Sequence, residues 1–363
     1  MDSIPTLDEL LAKLLSVEGS DLHLKVGSPP AYRIDGVLQL AELPKLSAAD
    51  TADFAEQVLI DRARDEFAVD HEADFAYGKA ALGRFRVNVY RQRGSINLVV
   101  RAVNPASQNF EELGMPEKSL ARLCAHQRGL IVVAGAAGSG KTTALGAMID
   151  HINSTRRVNI ITLEDPIEIL FPDKMSIVSQ REVGLDTASM EEGLRRVVRQ
   201  DPDVIMASEM RNLESVRGVL RAAETGHLVL TAMHTVDSVE TVNRIVESFP
   251  VHERKQARLI LASVLRGVVA QRLVPRADGR GRIPAVEVLT NYERMYEAIA
   301  DEEQAPRVQE LLNDGSFHGC QSFDQALLKL YEDGVVEFHD AVANATDPTD
   351  LKLAAQAMGL RSA

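Results

Sequence analysis

The eight residues Gly135-Ala-Ala-Gly-Ser-Gly-Lys141-Thr142 constrain this chain more than any other stretch. They fit the spacing G-x4-G-K-[ST], and they join an apolar run, Leu130 to Ala134, to a segment of helical character. In that setting glycines let backbone N–H groups close around a phosphate, and the helix N-terminus adds its positive dipole. Lys141 reaches the β and γ phosphates, and the Thr142 hydroxyl binds Mg²⁺. Gly135, Ala136, Ala137, Gly138, Ser139, Gly140, Lys141, Thr142 and Thr143 are therefore expected to hold ATP. A loop of this kind needs a strand before it and a helix after it, which points to a mostly parallel α/β sheet. The chain supplies further short apolar runs, Ile160 to Leu163, Val204 to Ala207 and Leu228 to Ala232, separated by longer helical segments.

At 363 residues the chain exceeds the roughly 250 to 300 at which one hydrophobic core stops growing. Two domains are expected. Thr6-Leu-Asp-Glu9 has the form of a capping box, and Leu7, Leu10, Leu11, Leu14 and Leu15 follow at helical spacing. Leu22, Leu24 and Val26 alternate with polar residues, Asp35-Gly36 is a turn signal, and Phe85, Val87 and Val89 alternate with Arg84, Arg86 and Asn88. Residues 1–104 thus read as a small α+β domain. Asn104 to Asn109 is polar, contains proline and lacks periodicity, so residues 105–113 are expected to be a linker. Residues 114–290 read as the α/β core, and residues 291–363, with Leu327, Leu328, Leu330 and Tyr331, as mostly helical.

The formal charge of −13 opposes a nucleic-acid partner, whose phosphates would call for Lys and Arg. The longest apolar runs fall well short of the roughly 20 residues that cross a bilayer, and Met1 to Thr6 has no basic start. A cytoplasmic chain without direct membrane insertion is expected. Cys124 and Cys320 have no partner at metal-ligand spacing and read as buried free thiols.

Three further segments carry chemistry beside the loop. Val204-Ile-Met-Ala-Ser208 is an apolar strand ending at Glu209, whose carboxylate can orient water or support Mg²⁺ through an intervening water. Thr162-Leu-Glu164-Asp165-Pro-Ile-Glu168 follows another apolar strand, and ligands in open α/β sheets collect at the carboxyl ends of strands. Glu164 and Glu168 are candidates to position the attacking water, and spacing alone does not say which carboxylate acts as base. His227 and His234 flank a third strand, and taken singly each reads as a structural histidine.

In this order the four segments resemble the type II/IV secretion ATPase family, and within it the retraction motors of type IV pili. The acidic box of that family resembles Glu164 to Glu168, its Walker B segment resembles Asp201 to Arg211, and its histidine box resembles Thr225 to Thr235. Ser20-Asp-Leu-His-Leu24, Gly27-Ser-Pro-Pro30, Gly83-Arg-Phe-Arg-Val-Asn88 and Arg91-Gln-Arg-Gly-Ser95 extend the likeness toward the N-terminus. Ser322 to Leu328 and Ala345 to Pro348 extend it toward the other end. The resemblance implies a RecA-like core with a smaller PAS-like N-terminal domain and a helical C-terminal tail. It further implies an ATP-hydrolysing ring of six identical subunits, peripheral at the inner face of the cell membrane, where it drives pilus retraction and twitching. The partners it implies are an inner-membrane platform protein and a second retraction ATPase. His227 would belong to nucleotide binding and His234 to catalysis, while Arg86, Arg91 and Arg93 would supply charge to the developing phosphate as arginine fingers do. Nucleotide state would set how the N-terminal domain sits on the core through a hinge near residues 104–113.

The sequence departs from that family in places. Ala136-Ala137 stands where Pro-Thr is common, and Ser208 and Asn212 replace the Gly and Asp that flank the Walker B acid. Loop contacts to phosphate are mainly backbone, so these changes leave the ATPase expectation intact. Thr290-Asn-Tyr-Glu-Arg-Met-Tyr-Glu-Ala298 stands where retraction motors carry an Ala-Ile-Arg-Asn-Leu type motif. That departure bears on the retraction role and keeps open an accessory or regulatory pilus ATPase subunit with little turnover of its own.

Overall fold

The computed structural model describes residues 4–34, 36–79, 82–103 and 109–360. Asp35 of the expected turn and residues 104–108 of the expected linker lie outside the described residues. The chain divides into two compact units, residues 1–106 with 166–170, and residues 107–165 with 171–363.

The first unit opens with helix α1 (Leu7–Ser16), started by the capping box read in the sequence. Thr6 Oγ1 accepts the Glu9 amide at 3.3 Å, and Glu9 Oε2 accepts the Thr6 amide at 2.8 Å. Strands β1 (Asp21–Leu24), β2 (Ala31–Ile34) and β3 (Val37–Leu40) follow, then helices α2 (Ala48–Val58) and α3 (Asp61–Asp70), and strands β4 (Glu72–Lys79), β5 (Gly83–Gln92) and β6 (Ser95–Ala102). They form one antiparallel sheet in the order β3-β2-β1-β6-β5-β4. Leu7, Leu10, Leu11 and Leu14 share a core with Phe85, Val87 and Val89, the alternate residues of β5. Each such side chain contributes about 2 kcal/mol by leaving water.

The second unit begins with a capped turn over residues 109–114, where Asn109 Oδ1 accepts the Glu112 amide at 2.8 Å and Phe110 is buried. Its elements in order are α4 (Glu117–Cys124), β7 (Gly129–Ala134), α5 (Lys141–Thr155), β8 (Asn159–Glu164), β9 (Ile177–Glu182), α6 (Met190–Val197) and β10 (Val204–Ala207). Then come α7 (Leu213–Glu224), β11 (Leu228–Met233), α8 (Ser238–Glu247), α9 (Arg254–Val264), β12 (Leu265–Pro275) and β13 (Arg282–Thr290). The sheet order is β13-β12-β7-β11-β10-β8-β9, parallel except for β13, which runs antiparallel to β12. Helices cover the central strands, so β7, β10 and β11 are buried at every residue. This explains why they read as continuous apolar runs and not as alternating ones. Helices α10 (Glu293–Ala300), α11 (Arg307–Asp314), α12 (Phe323–Glu332), α13 (Phe338–Asn344) and α14 (Pro348–Ala357) complete the unit. Cys124 and Cys320 are buried and unbridged.

Candidate nucleotide site

Parallel register decides what gathers at the carboxyl edge of the second sheet. Ala134 of β7 lies opposite Met233 of β11, and Ala207 of β10 lies opposite Leu163 of β8. The residues that follow these strand ends therefore share one edge, where ligands of such sheets bind.

The loop after β7 keeps Gly138 and Gly140 at φ +74° and +89°, a region that L side chains enter only at a cost. It ends at Lys141, the first residue of α5, so the free amides of that helix open toward the loop. Lys141 is buried, and its Nζ donates to the carbonyls of Gly135 at 2.9 Å and Ala136 at 2.8 Å. Burial holds its pKa below the usual lysine value, and the negative charge of Glu209 opposes that shift. Thr142 is exposed and Thr143 half-buried.

Glu209 follows β10 and is fixed from two sides. One carboxylate oxygen accepts from Arg211 Nε, and the other lies 2.9 Å from His234 Nε2, which follows β11. An ionised carboxylate only accepts, so Nε2 is the donor in that contact. Arg211 also approaches Asp165 Oδ2 at 3.4 Å. A cleft of about 220 Å³ opens here, lined among others by Asp165, Glu191, Ser208, Glu209, Arg211 and Asn212. Glu164 is only 3% exposed, and its Oε1 accepts from Thr162 Oγ1 at 2.6 Å and Gln180 Nε2 at 2.9 Å.

The structure thus brings together Lys141, Glu209 and His234, with Glu164 held beneath the same edge. Glu168 is exposed and falls in the segment 166–170 that groups with the first unit. His227 lies at the other end of β11: its carbonyl accepts the Gly129 amide at 2.9 Å, and its Nδ1 sits 2.9 Å from the Ala222 carbonyl. Six strand residues at ~3.3 Å each put it about 20 Å from the loop. The N-terminal arginines belong to the first unit. Arg86 Nε donates to Asp74 Oδ1 at 3.0 Å, Arg91 stacks over Phe67 at 5.3 Å, and Arg93 occupies the β5–β6 turn at φ +51°.

Two residues of this edge were not singled out from the sequence. Arg211 stands two places after Glu209, in a polar stretch where one more charge carries no signal. Gln271 of β12, which donates to the Ser139 carbonyl, stands beside Arg272 between the apolar residues Val268 to Ala270 and Leu273 to Val274, and such a polar pair does not say in sequence which of the two faces the loop.

Residues 3–344 match the family described as type II/IV secretion system protein. The chain belongs to that family. Among its relatives is the type IV pilus ATPase PilU of Pseudomonas aeruginosa, 38% identical over 346 residues, 95% of this chain and 90% of the relative. The type IV pilus retractation ATPase PilT of the same organism is 36% identical over 342 residues, 94% of this chain and 98% of the relative. A crystal structure of the pilus retraction motor PilT with bound ADP superposes with a TM-score of 0.89 and 40% identity, covering 96% of this chain and all of the other. Like these members of the type II/IV secretion family, the chain is an ATPase, with an N-terminal domain and a RecA-like core. Among the described residues no helix is long and apolar enough to cross a membrane.

Proposed function

We propose that this protein is an ATP-hydrolysing motor that works as a ring of six subunits to drive type IV pilus retraction. The observation that carries the reading is the convergence of Lys141, Glu209 and His234 on one sheet edge, in a chain similar along nearly its whole length to a pilus retraction motor. Loop amides and Lys141 hold the phosphates. The carboxylate of Glu209, turned by His234 and Arg211, orients the attacking water, while Glu164, buried and bonded to Thr162 and Gln180, shapes the floor beneath it. The Thr142 hydroxyl and the Glu209 carboxylate are oxygen donors of the kind Mg²⁺ takes, so the residues fit that ion. When bound, it would neutralise charge on the phosphates. The subunit would act in the cytoplasm against a platform protein of the inner membrane, with Arg86, Arg91 and Arg93 supplying charge from the N-terminal domain and residues 104–113 serving as the hinge.

The test is ATP hydrolysis by the full chain beside Lys141→Ala and Glu209→Gln, with particle mass read on the same samples, followed by pilus retraction in cells carrying each variant. Turnover by a six-subunit particle that both changes abolish, with retraction lost, is the expected result. A second reading, an accessory pilus ATPase subunit, is favoured by the likeness to PilU and by the Thr290 to Ala298 departure. Retraction that persists in a turnover-dead variant would favour it.

A further inference from the structure

Gln271 enters the nucleotide site from the side opposite Glu209. Ala270 of β12 lies opposite Ala134 of β7, so Gln271 stands beside the first residue of the phosphate loop. It is 3% exposed, among the buried Val268, Val269, Ala270 and Val274. Its Nε2 donates to the Ser139 carbonyl at 2.5 Å, while its buried Oε1 has no partner among the described residues. Packing alone would be better served there by an apolar side chain, since an amide with one orphaned end is costly to bury. The loop is also fitted to this neighbour. A Cβ on Gly140 would stand 2.8 Å from Gln271 Nε2, and a Cβ on Gly135 would stand 2.8 Å from the Gln271 carbonyl oxygen.

The peptide between Ser139 and Gly140 is planar and trans, so its C=O and N–H point in opposite directions. Holding the Ser139 carbonyl against β12 turns the Gly140 N–H away from β12 and toward the hollow of the loop. We propose that Gln271 is a positioning residue that aims the Gly140 amide at the bound phosphate, an inference that rests on the nucleotide reading of this site.

The experiment titrates a fluorescent ADP analogue into the full-length wild-type protein, Lys141→Ala, Gln271→Met and Gln271→Glu. Methionine keeps the volume and removes the donor. Gln271→Met should melt near wild type yet bind ADP about tenfold more weakly, the value of one hydrogen bond. KM for ATP should rise in the same ratio with kcat held, because an amide–phosphate contact acts before and during transfer. A buried carboxyl stays protonated at mildly acid pH, where its O–H donates to Ser139 as the amide did. Gln271→Glu should therefore approach wild-type affinity at low pH, where Gln271→Met stays weak, and lose it as pH rises; the low-pH contrast between the two variants is one that no packing role produces. If Gln271→Met fails to fold, Gln271→Leu, which also lacks the donor, takes its place in that comparison. Wild-type affinity in Gln271→Met, or a flat pH ratio for Gln271→Glu, overturns the proposal while the nucleotide site stands. Absence of ADP binding by the wild-type chain overturns both.

Discussion

Glu209→Gln separates chemistry from architecture at this site. In the wild type both carboxylate oxygens face donors, Arg211 on one side and His234 on the other. Glutamine offers one oxygen and one NH₂. Arg211 cannot accept, so the amide oxygen must turn toward it and the NH₂ toward His234, which accommodates it only in the tautomer with a bare Nε2. One contact survives and the second depends on a tautomer change. Arg211's side chain is 61% exposed, so its pairing with Glu209 carries at most about 1 kcal/mol. The histidine bond adds about 1 kcal/mol. The fold should therefore lose no more than about 1 to 2 kcal/mol, read as a small shift of the urea midpoint. Turnover should fall at least ~100-fold, the lower end of what a positioned acid–base group contributes. ATP binding should hold or tighten, since a negative charge beside the phosphates and Lys141 has gone. Single-turnover phosphate release and equilibrium ATP binding measure the two separately. Turnover within about tenfold of wild type would refute the role of Glu209. So would parallel loss of binding and turnover, which would make it a structural residue.

Other predictions rest on separate features. Gly140→Ala puts a side chain at φ +89° and 2.8 Å from Gln271 Nε2, so the urea midpoint should report about 2 to 3 kcal/mol of lost stability, together with weakened ADP binding. Burial pushes the Cys124 thiol from 9.0 up to about 12. A raised folded value means that its stabilising contribution is whole below pH 9 and is lost as pH rises toward 12, up to about 4 kcal/mol in all. Cys124→Ala should flatten the decline in stability between pH 9 and pH 11, and an unchanged decline would disprove this. Burial also raises Glu287, whose Oε1 accepts the Ser238 amide at 2.8 Å. Its contribution is full below the ordinary 4.5 and falls as pH climbs through the raised value, so Glu287→Gln should raise the melting temperature more at pH 8 than at pH 4.

Periodicity exposed the fold where burial is uniform or strictly alternating. Leu7, Leu10, Leu11 and Leu14 revealed α1, and the continuous runs of β7, β10 and β11 revealed strands covered on both faces. Chain order also implied that the residues after those strands would meet, which grouped Lys141, Glu164 and Glu209, while the family resemblance alone added His234. What could not be read was direction. His227 and His234 look equivalent in sequence, one before and one after the same strand, yet a parallel strand has a ligand-facing end and a far end. Only the second histidine follows the carboxyl end. Glu164 and Glu209 likewise both end apolar strands, and only side-chain geometry distinguishes an acid tied to Thr162 and Gln180 beneath the edge from one shared by Arg211 and His234.

Strand β12 shows why the remainder needs three dimensions. Successive residues of a strand face opposite sides, so Gln271 and Arg272 point apart. Gln271 holds the Ser139 carbonyl, while Arg272 stacks on Phe323 at 3.9 Å and donates to the Asn344 carbonyl at 2.6 Å. The Asp324 carboxylate accepts the amides of Thr346 and Asp347 at 2.6 and 2.9 Å, tying the start of α14 to α12. One dipeptide therefore ties the phosphate loop to the C-terminal helices through a strand too tightly packed to deform continuously. A displacement of the loop that moved Gln271 would carry Arg272 with it. Helices α12 and α13 are thus fastened to the same strand that holds the phosphate loop, although no residue after Arg272 stands near that loop in sequence.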